Sequence, residues 1–258
     1  MTKTKKPYTG TQAVLRAISI LNVFSEDRPV WSLNELVQKV GLNKTTTFRL
    51  LTALESEGFV ARSPNADTYM LGPEIVVLGG QALRSNNLRS LSRPELRVLA
   101  DATGETASLE VLSGNQVVII DEILGDHLVS GIPSVGTRWP ALATSTGKAI
   151  LAHIHQEQLD AILKKPLVKF TPKTITSVEV LRKELVQIRK QGFAIADESL
   201  EMGFIAIGSP VKNHDREVVA AISVGGPRIR FTAKRIPQIA LQVRETADRI
   251  SASLGYRP

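Results

Sequence analysis

With 258 residues, 43% of them hydrophobic and 22% charged, the chain is long enough for two modest domains that each bury a core. A net charge of +7 suits a polyanionic partner, and eleven basic against seven acidic residues fall in the first 90. The lack of cysteine excludes disulfides and thiolate chemistry, and neither a membrane-length apolar run nor a secretory signal is present, so a cytoplasmic location is expected.

Val14, Leu15, Ala17, Ile18, Leu21 and Phe24 recur at three- and four-residue spacing and predict an amphipathic helix from about Thr11 to Ser25. Glu26-Asp27-Arg28-Pro29 breaks it. Ser32, with Glu35 three residues on, forms a capping box for a second helix lined by Leu33, Leu36, Val37 and Val40 and ended by Gly41. Asn43 caps a third helix, whose expected inner face is Thr47, Phe48, Leu51 and Leu54 and whose end is Gly58. Two strand-like runs, Phe59–Arg62 and Thr68–Leu71, flank a turn-rich tip. Helix, helix, turn, helix, hairpin is a winged helix-turn-helix over residues 1–71, with the helix-turn-helix proper at Trp31–Glu57.

Residues 72–87 read as a linker helix with Gly79-Gly80 as its weak point. Beyond it, helical runs at Leu91–Thr103, Ser145–His155, Val178–Gln191 and Lys234–Leu254 alternate with strands at Thr106–Leu112, Val117–Ile123, Phe204–Val211 and Val218–Val224. Gly114-Asn115 and Asn213-His214-Asp215 look like hairpin turns. The pattern predicts an α+β domain over 88–258 with a mainly antiparallel sheet.

A helix that enters the major groove needs an apolar face to hold it on its domain and a polar face to reach base edges. The third helix offers Lys44, Thr45, Thr46, Arg49 and Thr52 outward. Lys44 and Thr45 fall in its first turn, where free N–H groups favour a phosphate, and Arg49 suits phosphate or guanine. Arg62 on the wing can approach the backbone of the flanking groove. With Ser32 and Asn43 at the helix starts, these are the expected DNA-binding residues. Similar units also serve as protein-binding scaffolds, and a Thr-rich helix start is also simply a good cap; a steep loss of affinity with salt separates DNA binding from that alternative.

Five blocks carry a family resemblance across nearly the whole chain: GLNKTTTFRLLTALESEGFV, the wing and linker Tyr69-Met70-Leu71-Gly72-Pro73, Thr103-Gly104-Glu105-Thr106, GTRWPALATSTGKAILA and VVAAISVGGP. Together they resemble the IclR family of bacterial transcriptional regulators. A proline is usual in that family where Asn43 stands, and its aromatic-Arg pair is kept as Phe48-Arg49. The resemblance implies that the second domain is GAF-like and binds a small carboxylate or aromatic acid. It also implies a pocket of Leu128, Trp139, Ser145, Thr146, Asp197, Ala206 and Ser223, with backbone N–H groups at Ser145-Thr146 turned to the ligand carboxylate. The family often has cysteine, glutamate and serine where this chain has Ala206, Ser199 and Gly225, so the pocket is expected to differ in size and polarity. The implied function is a one-component regulator, more often a repressor, acting as a dimer or dimer of dimers on a palindromic operator in double-stranded DNA, with no membrane partner.

Catalysis, cofactors and metals find no support in the residues. Thr144–Lys148 resembles the end of a phosphate-binding loop, but Leu142 replaces its first glycine and Ala149 its hydroxyl. His153 and His155 are expected to diverge and, with His127 and His214, to be solvated. Asp121-Glu122 and Asp197-Glu198 read as acid pairs capping strands. The enzyme alternative, a sensor-like domain with hydrolase or transferase activity tethered to a DNA-binding arm, needs a convergent titratable cluster that the sequence does not reveal.

Overall fold

The structure is a computed structural model that describes residues 10–63, 67–125 and 135–257. The chain divides into two compact units at Ser85/Asn86, so the linker helix belongs with the first. That unit comprises α1 (Gln12–Leu21), β1 (Trp31–Ser32), α2 (Leu33–Val40), α3 (Lys44–Ser56), β2 (Val60–Arg62), β3 (Thr68–Leu71) and α4 (Pro73–Arg84). Its core is Ile20, Phe24, Trp31, Leu36, Leu51, Val60 and Tyr69. α1 is shorter than its apolar spacing predicts; Phe24 reaches the core from the turn after it. The helix ends follow the expected chemistry. Ser32 and Glu35 close a reciprocal capping box, Gly41 takes a left-handed φ of 67°, and Asn43 accepts from the Thr46 amide.

The wing is a three-stranded antiparallel sheet in the order β1-β3-β2, because Trp31 pairs with Tyr69 as a short extra strand. A Cβ on Gly72 would lie 2.1 Å from the Gly58 carbonyl oxygen, so only glycine lets α4 start against the turn that closes α3. α4 then runs unbroken through Gly79 and Gly80. Phe48 departs from expectation. Thr47 and Leu51 take the inward positions of α3, and Phe48, one residue past Thr47, turns outward and is 44% exposed.

The second unit holds α5 (Asn87–Thr103), β4 (Thr106–Ser113), β5 (Gln116–Ile123), β6 (Arg138–Pro140), α6 (Ser145–Leu151), α7 (Gln156–Leu163), α8 (Val178–Gln191), β7 (Ala194–Asp197), β8 (Phe204–Lys212), β9 (Val218–Pro227) and α9 (Arg235–Ser253). The helix expected over Ser145–His155 ends at Leu151, and a separate short helix follows. Its six strands form one antiparallel sheet in the order β6-β5-β4-β9-β8-β7. Side chains alternate across it. Leu109, Ile207, Ile222 and Val224 pack one face against Leu96 and Leu99 of α5 and Val243, Ala247 and Ile250 of α9. Ala221 and Val117 pack the other against α6 and α8 through Ile150, Leu181, Leu185 and Ile188. Gly208 lets α6 lie directly on the sheet, since a Cβ there would come within 2.9 Å of the Thr146 amide nitrogen.

Candidate nucleic-acid interface and effector pocket

α3 leaves its cap with Lys44, Thr45, Phe48, Arg49 and Thr52 exposed and Thr46 half-buried. Among the described residues neither Lys44 nor Arg49 has an ion-pair partner, so both cations are free for a polyanion. The other expected DNA-binding residues are partly spoken for. The Ser32 hydroxyl donates to Glu35 Oε2 (2.8 Å) and accepts from the Glu35 amide, and the Asn43 side chain accepts from the Thr46 amide (2.8 Å). Both therefore serve as caps. The Thr52 hydroxyl donates to the Phe48 carbonyl (3.0 Å). Arg62 faces Glu55 at 3.2 Å and Asp67 at 3.8 Å and lies over the Tyr69 ring, so a phosphate would have to compete with those partners. Helical spacing puts Phe48 inward, whereas the structure adds it to the exposed face.

In the second unit a cavity of about 440 Å³ opens on the sheet face that carries α6. Five of the expected pocket residues line it: Trp139, Ser145, Thr146, Ala206 and Ser223. Asp197 does not. Its neighbour Ala196 does, and the Asp197 carboxylate turns to Arg228 at 2.7 Å, as strand alternation requires. Leu128 and His127 lie outside the described residues. Where the family often has serine, Gly225 leaves room that the Phe204 ring fills; a Cβ would meet that ring at 2.9 Å.

Sequence patterns give no sign of the polar floor of the cavity. Glu110, 6% exposed, accepts hydrogen bonds from the Thr146 hydroxyl (2.6 Å) and the Ser108 hydroxyl (3.0 Å), and Ser108 shares a hydrogen bond with Ser223 (2.9 Å). Burial pushes the Glu110 carboxyl up, and the two hydroxyls pull it partly back. The Thr146 hydroxyl thus holds a carboxyl group of the protein itself, beside the backbone N–H groups expected to meet a ligand carboxylate. Glu122 also faces the cavity, and burial first, then the charges of Glu110 and Asp121, pushes it up to about 7. Asp121-Glu122 is thus no surface cap. Asp121 is buried against Arg89 (3.3 Å) and Arg93 of α5, whereas its neighbour points the other way.

Toward the other end, Arg230 lines the cavity and grips the fully buried Glu105 through Nε (2.9 and 3.1 Å) and Nη2. Arg235 Nη1 donates to the same carboxylate at 3.0 Å. Two guanidiniums on one carboxylate leave a net positive charge there. Lys148, the last residue of the phosphate-loop-like run, is buried and donates to Glu184 (2.8 Å) and the Ile195 carbonyl (2.6 Å), tying α6 to α8 and β7. His153 is half-buried rather than solvated, with Nδ1 3.0 Å from the Ala149 carbonyl and its pKa lowered mainly by burial. Among the described residues no three His, Asp or Glu side chains come together as metal ligands, and no helix is long and apolar enough to cross a membrane.

Known proteins share the sequence pattern and fold of both units. Residues 13–64 match the IclR helix-turn-helix domain, and residues 80–252 match the C-terminal domain of bacterial transcriptional regulators of the IclR type. The acetate operon repressor of Salmonella typhimurium is 32% identical over 256 residues, covering 98% of this chain and 93% of its own. The HTH-type transcriptional repressor AllR of Klebsiella pneumoniae is 34% identical over 250 residues, covering 96% and 92%. Among solved structures, the Thermotoga maritima IclR superposes with a TM-score of 0.72 at 31% identity, covering 94% of this chain and 98% of its own. An IclR homologue from Microbacterium hydrocarbonoxydans, complexed with 4-hydroxybenzoate, gives 0.80 at 26% identity, covering 94% and 99%.

Proposed function

The chain belongs to the IclR family of bacterial transcriptional regulators, and from that premise we propose how its two units divide the work. The first binds double-stranded DNA by laying α3 in the major groove, with Lys44, Thr45, Thr46 and Arg49 toward bases and phosphates. The second takes a small effector in its cavity, and the effector alters operator affinity. The observation that carries the DNA-binding assignment is a pair of exposed cations, without ion-pair partners among the described residues, on a helix whose opposite face is locked into the core. Repression is the sign of regulation supported by relatives named as repressors.

An organic acid is the effector class we favour. The homologue complexed with 4-hydroxybenzoate supports it, as does the net positive charge around Arg230. The acid then sits at that end of the cavity, because Glu110 holds the Thr146 hydroxyl and sets its own carboxyl group beside the backbone N–H groups of Ser145-Thr146. The protein works as a homodimer or dimer of dimers on a palindromic site, since one short helix buries too little surface for operator selectivity. The exposed apolar side chains Val14, Leu15 and Ile18 of α1 and Val76, Val77 and Leu78 of α4 are the surfaces it would use for self-association. The relatives are regulators, and we assign no catalytic step. The chromosome sets the place of action, the cytoplasm.

Fluorescence anisotropy on operator DNA tests the core of this reading. Arg49→Ala together with Lys44→Ala should weaken binding by about one to two orders of magnitude and flatten the salt dependence by about one unit of slope for each phosphate no longer neutralised. Unchanged affinity in the double variant would remove α3 from the interface.

A further inference from the structure

Thr106, Ser108 and Glu110 alternate along β4, and all three line the cavity. At about 3.3 Å per residue, Thr106 and Glu110 stand roughly 13 Å apart, so the cavity is elongated along the strand. Its two ends carry opposite charge. By Thr106, which pairs with Gly225, Arg230 and Arg235 share the single carboxylate of Glu105. Glu110 stands at the far end, and Glu122, which pairs with Ser108, stands midway along the strand. Among the described residues no cation pairs with either carboxylate. The hydroxyls of Ser108 and Thr146 are already given to Glu110, and Glu122 Oε2 is buried without a hydrogen-bond partner among those residues.

A buried carboxylate with an unpartnered oxygen needs a donor, and a charged one needs a cation. A metal ion does not fit, because no third ligand joins the two glutamates among the described residues. A simple acid placed there would face two carboxyl groups, one of which still lacks a donor. Trp139, level with Leu112 just beyond Glu110, and Phe204, whose ring lies by Gly225 at the Thr106 end, present half-exposed rings at opposite ends, one suited to a cation and the other to an apolar or aromatic body.

We propose that the effector is amphoteric: a small molecule whose carboxylate meets the Arg230 end of the cavity beside Phe204, whose protonated nitrogen lies between Glu110 and Glu122, and whose apolar body spans the strand face between the two. The assignment rests on the reading of this cavity as the effector site. It adds an organic cation to the acid already assigned to that site, and it makes Glu110 and Glu122 the residues that select for it.

Calorimetric titration of the full-length protein near neutral pH, with matched triplets of probes, tests it. One triplet is para-(aminomethyl)benzoate, para-methylbenzoate and para-methylbenzylamine; the other is delta-aminovalerate, valerate and pentylamine. An amphoteric member should bind at least about tenfold tighter than both of its single-charge partners. Glu122→Gln, which leaves the hydroxyl network on Glu110 intact, should erase most of that advantage, and Glu110→Gln should do the same where it folds. The proposal is overturned if the simple acids bind as tightly as their amino counterparts, if the advantage survives in Glu122→Gln, or if none of the six compounds binds. The effector-site reading has its own test: it falls only if a wider carboxylate screen also yields no ligand whose binding is lost in Trp139→Ala.

Discussion

Glu105 has 1% of its surface exposed, and its carboxylate is gripped by Arg230 and Arg235, whose own side chains remain about a quarter to a third exposed. Removing Glu105 leaves two adjacent guanidiniums uncompensated and partly desolvated, at a cost of roughly 3 kcal/mol, the low end for breaking a buried pair. Glu105→Gln should therefore lower the unfolding temperature by about 6–12 °C in a thermal melt, and an unchanged melt would mean the pair contributes nothing. Glu122 works in the opposite sense. Burial and the neighbouring Glu110 and Asp121 raise its pKa to about 7, above the ordinary carboxylate value. A carboxyl raised in the folded state favours folding while protonated, and that contribution fades as pH climbs from the unfolded value through about 7. The groups around it are Glu110 on β4, Asp121 with its two arginines behind β5, and, elsewhere along the cavity, Glu201 and Arg230. The ligand-free protein should thus melt lower at pH 8 than at pH 5.5 by more than the Glu122→Gln variant does. Parallel melting curves for the two proteins would show that the carboxyl titrates normally.

α3 illustrates what element-scale patterns reveal and what they miss. Its start at Lys44, the Asn43 cap and the Gly41 stop are all legible, because a cap needs only one residue of the right chemistry at one position. The outward turn of Phe48 is not. An apolar residue beside Thr47 fits the helical stripe by spacing, and only the packing of α3 on Leu36 and Ile20 decides which neighbour goes in. The glutamates of the cavity are hidden by a similar local event. The β4–β5 register shifts between Leu109 and Glu110, so Ile119 and Glu122, three apart, both reach the cavity, which no period-two reading anticipates. β1, β6 and β7 are two to four residues long, too short for alternation to register. α8, by contrast, spans Val178–Gln191 as its capping serine and apolar spacing dictate. With α3 in the major groove as proposed, the exposed Phe48 ring would reach a thymine methyl beside the bases next to Arg49. Phe48→Ala should leave the melting temperature nearly unchanged while weakening operator binding by about five- to tenfold, with the loss confined to sites bearing thymine at one position. A lowered melting temperature with intact operator affinity would return Phe48 to the core.

A regulator that works as proposed has to turn a binding event in residues 86–258 into a change in the affinity of residues 1–85 for DNA. Thermodynamics requires only that the effector bind the DNA-competent and DNA-incompetent states with different affinity, and the coupling is then reciprocal. The chain between the two units runs through α4, where Gly79 and Gly80 lie in an unbroken helix. A Cβ on Gly79 would meet nothing within 4 Å, and one on Gly80 would meet only the flexible end of Arg84. Within the chain neither glycine is needed for space, and each costs about 1 kcal/mol of helix propensity relative to alanine. A pair of helix-weakening residues with no steric reason within the chain is suited to a compliant point. Gly79→Ala adds a methyl to open space and stiffens α4. It should leave the affinity for effector alone and for operator alone close to that of the native protein. It should shrink the factor by which saturating effector changes operator affinity, a factor of roughly 5–150 in such systems. Measuring that factor both ways, as effector acting on DNA binding and as DNA acting on effector binding, must give the same number. If the factor is as large in Gly79→Ala as in the native chain, the signal does not pass through a bend at these glycines, and α4 transmits it as a rigid rod.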